Sequence, residues 1–106
     1  MIKANVLGEE YTIKMNVKKE DDENLTDNDG YIDYQTKEIV VEEMPEPSPG
    51  LTKDVKSYEK HVVRHELFHA YLYESGFTDY ANDEKLIEWL AVQFHKIRKT
   101  FEKLEV

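Results

Sequence analysis

The segment Val62–Gly76, VVRHELFHAYLYESG, decides how the chain is read. It holds His65-Glu66-Leu67-Phe68-His69, two histidines four residues apart with a glutamate beside the first. On an α-helix, residues four apart share one face, about one turn from each other. His65 and His69 can therefore offer imidazole nitrogens to one Zn²⁺. Glu66 lies about 100° around the helix. It is free to act on the metal's water without being a ligand, which is why the chemistry asks for His-Glu-x-x-His and not merely two histidines. The ordinary alternative is a core helix that happens to carry two satisfied histidines. Against it, the segment is apolar on several faces, where unpaired polar groups are costly.

A catalytic zinc site needs a third protein ligand. His61 sits one turn before His65, but three histidines over two turns span about 12 Å along the axis, too far for one ion. The second predicted helix offers Asp83, Glu84, Glu88 and His95. Asp83 and Glu84 have a simpler explanation as first-turn acids that favour the helix dipole. Glu88 borders the apolar stripe in mid-helix and is the expected third ligand. Glu84 is next, then His95 or an acid elsewhere. For the oxyanion donor, Tyr71, Tyr73, Tyr80, His61 and His95 remain open.

Around this motif, the 106 residues with 40% hydrophobic content suit one modest core and one domain, 1–106. Ile2–Leu7 and Tyr11–Val17 read as strands around a turn at Gly8-Glu9-Glu10, and Tyr31–Tyr34 and Glu38–Glu43 as a second hairpin. Lys18–Gly30 is polar and reads as a mobile loop. It is not an EF-hand, because Leu25 stands at the first ligand position and Thr36 at the twelfth. Residues 1–44 are thus the expected sheet and 45–51 a proline-rich linker. Residues 52–104 are two long helices, the first capped by Thr52 and stopped at Gly76, the second capped by Asn82. The core stripe of the second is Leu86 or Ile87, Leu90, Phe94, Ile97, Phe101 and Leu104. Strands followed by helices predict an α+β fold: a small antiparallel sheet of three or four strands packed on two helices.

The net charge of −9 argues against a nucleic-acid partner; its sign would suit a basic protein or peptide substrate, but an acidic balance more often serves only solubility. Without cysteine, thiolate zinc sites and disulfides are excluded. There is neither a membrane-length apolar run nor a signal-peptide core in MIKANVLGEEYTIK, so a cytoplasmic protein is expected.

VVRHELFHAYLYESG followed by EKLIEWLAVQF, with GYIDYQTKEIVVEE upstream, resembles the small gluzincin-type metallopeptidases of phages and prophages, near the ImmA/IrrE-like family. The resemblance covers roughly residues 30 to 95. It implies a minimal zincin-like fold and zinc on His65, His69 and Glu88. It also implies Glu66 as general base and hydrolysis of a peptide bond, for example in a regulatory protein of a phage or mobile element. Substrate would pair with the exposed edge of the Glu38–Glu43 strand. No His-x-x-Gly-x-x-His extension follows, since Leu72 and Ser75 stand where its glycine and histidine belong. The alternatives are a zincin-fold binding module with a structural zinc, or a metal-free phage accessory protein.

Overall fold

The computed structural model describes residues 1–45 and 54–106. Most of the expected 45–51 linker, and the Thr52 cap, lie outside these residues. The element order is β1 (Ile2–Val6), β2 (Glu9–Val17), β3 (Gly30–Asp33), β4 (Glu38–Glu42), α1 (Val55–Glu74), α2 (Thr78–Ala81) and α3 (Glu84–Leu104). The fold is α+β, as the sequence predicts. Among the described residues no helix is long and apolar enough to cross a membrane.

The sheet is mixed and not antiparallel: its order is β1-β2-β4-β3, with β2 and β4 parallel. The residues of β4 explain this. Ile39, Val40 and Val41 are consecutive and all buried, so both faces of β4 must be covered. That suits a central strand. Ile39 and Val41 join Val6, Tyr11, Ile13, Val62 and Ala70 in the core under α1. Val40 points the other way, toward Asp21, Asp22 and Tyr31. The Lys18–Gly30 segment supplies that second cover. It forms two short 3-10 turns, Lys19–Asp21 and Glu23–Leu25, with Leu25 fully buried and Tyr31 donating to Asp22 Oδ2 at 2.6 Å. A parallel pair needs such a long crossover between its strands. The half-buried β3 is left at the edge.

The first hairpin turns on Leu7 and Gly8, both at positive φ (51° and 93°), with Glu9 and Glu10 already in β2. Two positive-φ residues make the two-residue turn whose twist suits paired strands.

Helix α1 is capped by Asp54, which accepts from Ser57 N at 3.1 Å. It ends as expected at Gly76 (φ 85°), where Gly76 N donates to Tyr73 O and Phe77 N to Leu72 O. This pair of bonds is the glycine-stopped C-terminus that satisfies orphan carbonyls. Helix α3 is capped by Asp83 and not by Asn82: Asp83 Oδ1 accepts from Lys85 N and Leu86 N, both at 3.1 Å. Only Ile87 and Ala91 of α3 are buried. Phe94, Phe101 and Leu104, expected in its core stripe, are exposed. The stripe has the right period, but its outer half is covered in part at most: Phe94 meets the Phe68 ring of α1 with centroids 5.4 Å apart and still stands exposed.

Candidate metal centre

The stop at Gly76, the short α2 and the Asp83 cap together bring the start of α3 against the middle of α1. Glu84 is the first residue of α3, and because Asp83 does the capping its carboxylate is left free. Glu84 Oε2 stands 3.0 Å from His65 Nε2, and Oε1 stands 3.2 Å from His69 Nε2. Potential ligand atoms of His65, His69 and Glu84 all lie within 4.8 Å of one another. Two donors on one tetrahedral zinc, each about 2.1 Å from it, would be about 3.4 Å apart. The three side chains therefore fit a single ion.

The far side of each imidazole is also engaged. His69 Nδ1 lies 2.5 Å from Ala81 O. A carbonyl only accepts, so Nδ1 donates to it and Nε2, facing Glu84, is the nitrogen placed to meet a metal. Ala81 is the last residue of α2, where helical carbonyls lack partners of their own. His65 Nδ1 stands 3.3 Å from Glu88 Oε2. Metal-binding histidines characteristically hold an oxygen acceptor behind the ring in this way, which fixes tautomer and orientation. Glu88 thus lies behind His65, with its other oxygen 2.6 Å from His61 Nε2. It does not join the His65–His69 grouping, whereas Glu84 does.

Glu66 is only 5% exposed, and burial pushes its carboxyl up to about 7, with the Glu84 charge adding to the rise and His65 opposing it. Among the described residues its closest ionic neighbour is His69 Nε2 at 3.9 Å, beyond hydrogen-bond length. It lines a cleft of about 380 Å³ together with His61, His65, Glu84, Glu88, Tyr58 and the Asp27–Gly30 segment. Gly30 is required by close approach: a Cβ there would stand 2.8 Å from Val62 Cγ1 and 3.1 Å from Val40 O. Any larger residue would push β3 off the helix that carries the motif.

Of the five donors named from the sequence, His61 lies in this cleft. Tyr71 and His95 line a separate groove with Phe68 and Phe94. His95 is therefore remote from the ligand grouping. Tyr80 is exposed against Phe77, and Tyr73 stacks on Tyr34 with centroids 4.3 Å apart. Two tyrosines escape the sequence reading. Tyr34 OH lies 3.4 Å from both Ala81 O and His69 Nδ1, and burial foremost raises its hydroxyl to about 12. Tyr58 donates to Asp29, and that bond, with burial, raises it to about 12 as well. Both remain O–H donors at neutral pH. Neither carries a sequence signal, because their positions depend on the β3–β4 turn and the α1 start meeting the site from outside the motif.

The edge available beside the cleft is β3, not β4. The Glu38–Glu42 strand is paired on both sides, by β2 and β3, so substrate cannot add to it. No protein-family model, curated protein or solved structure matches the chain.

Proposed function

We propose that the chain is a zinc-dependent metallopeptidase. Zinc would be held by His65, His69 and a carboxylate of α3, with Glu66 as the general base. One observation carries this reading: the Nε2 atoms of both histidines face one carboxylate, Glu84, while their Nδ1 atoms face oxygen acceptors behind. Geometry favours Glu84 as the third ligand, with Glu88 orienting His65 from behind.

When bound, zinc supplies a Lewis acid that polarises a carbonyl and acidifies water. Glu66 takes a proton and returns it to the leaving amine; a carboxyl held near neutrality suits both halves of that exchange. Tyr58 and His61, on the cleft wall, are candidates to steady developing negative charge. An extended peptide laid against Gly30–Asp33 would pair with the free edge of β3. The acidic cleft suits a basic peptide, and the sequence resemblance suggests a regulatory protein of a phage or mobile element.

A binding module with a structural zinc is the second reading. Glu66 favours the enzyme, because a purely structural site has no use for a buried acid that makes no hydrogen bond among the described residues. The test pairs zinc content with cleavage of a peptide library by wild type and Glu66→Gln. The variant is expected to keep its zinc and to lose cleavage about 10²–10⁴-fold. Cleavage retained in the zinc-loaded variant removes Glu66 from the chemistry. Zinc lost with it makes Glu66 structural and favours the binding module.

A further inference from the structure

The histidine row on α1 has a third member. His61, His65 and His69 follow one another at intervals of four, and Glu84 and Glu88 on α3 are also four apart. Each carboxylate bridges two successive histidines. Glu84 spans His65 and His69, at 3.0 and 3.2 Å; Glu88 spans His61 and His65, at 2.6 and 3.3 Å. The ligand atoms of His61, His65 and Glu88 again all lie within 4.8 Å of one another. His61, His65, Glu84 and Glu88 all line the same cleft.

We propose that His61, His65 and Glu88 form a second divalent-cation site, overlapping the first at His65. The set has two imidazoles and a carboxylate, the donor chemistry that suits zinc. Its ring atoms differ from those of the first set: His61 offers Nε2, and His65 offers Nδ1, the nitrogen turned away from Glu84. The shared ring makes the two sites unequal. A neutral imidazole has one lone pair, so an ion on Nδ1 of His65 displaces the proton there to solvent while the first ion keeps Nε2. It also draws Glu88 out of its place behind His65, where it orients the first ligand. Such orienting contacts are worth about 10–100-fold in metal affinity. The second ion therefore binds on the order of tenfold or more weakly, and its arrival disturbs the first.

This inference rests on the zinc reading only through His65. The test is calorimetric titration of the metal-free full chain with ZnCl₂ alone, in wild type, His61→Ala and Glu88→Gln. Wild type is expected to take one ion tightly and a second more weakly. His61→Ala should keep the tight ion and lose the weak one. Should His61→Ala lose its helical circular dichroism, Glu88→Gln decides, and loss of the weaker ion with one ion still bound supports the site. A wild type that takes a single ion, unchanged in His61→Ala, overturns the second site and leaves the first standing. A weak ion that survives both substitutions is surface binding and also overturns it. No zinc bound by any of the three overturns the first site along with the second.

Discussion

The two halves of α3 obey the same apolar period and have opposite fates. The inner half, Glu84–Ala91, contributes the buried Ile87 and Ala91 and turns Glu84 and Glu88 onto the histidines of α1. The outer half, Val92–Leu104, has no buried residue, and Phe94, Phe101 and Leu104 stand exposed. Periodicity specifies which side of a helix is apolar. It carries no information about where along the axis the rest of the protein stops. The inner half is buried where α1 and α2 both pack on it, and the site lies there; the outer half meets α1 at Phe68 and Phe94, with ring centroids 5.4 Å apart, without being buried.

The sharpest way to break this contrast is to hollow the inner half. Ile87 is fully buried, and Ile87→Ala is expected to cost about 2–5 kcal/mol in a denaturant titration, the range for emptying a core position. A loss below 1 kcal/mol would mean that the inner half is no better anchored than the outer.

The next effect comes from Glu66, beside Glu84 at the inner end. Its folded carboxyl is raised from 4.5 to about 7. A raised acid favours the folded state while protonated, so its contribution is complete below pH 4.5 and is lost as pH climbs through about 7. Metal-free protein should lose about 3 kcal/mol of stability across that window from this group. Glu66→Gln should flatten the dependence. An equal slope in the variant would assign it to other groups.

Zinc affinity then separates two residues one turn apart. Glu88→Gln is expected to weaken the tight ion about 10–100-fold, as for a group that orients a ligand. Glu84→Gln should weaken it further, since it removes a donor from the ion itself. Competition with a chromophoric chelator measures both, and the reverse order would restore Glu88 as the third ligand.

The smallest effect belongs to the outer half. Phe101→Ala should change stability by no more than about 0.5 kcal/mol, the usual range for a surface position. A larger loss would show that something covers the outer half in solution.

Much of this was legible in consecutive residues. The alternation and β-branched runs marked all four strands. Gly76 marked the end of α1, and the spacing of His65 and His69 put two imidazoles on one helical face. These are local properties, set by backbone geometry within a turn or two of each residue. Other features needed distant parts of the chain. The run Ile39-Val40-Val41 did carry a sign that β4 is central, but its parallel partner emerged only when Lys18–Gly30 folded across the outer face. The cap of α3 fell one residue from Asn82, at Asp83, and Glu84 in the first turn meets the histidines of α1. The Ala81 carbonyl behind His69 and the Gly30 contact with Val62 have no signature in sequence at all. Spacing along the chain determined which residues share a face. Which carboxylate meets which nitrogen was decided by tertiary structure, because it depends on how two helices are placed by a turn and a sheet that neither of them encodes.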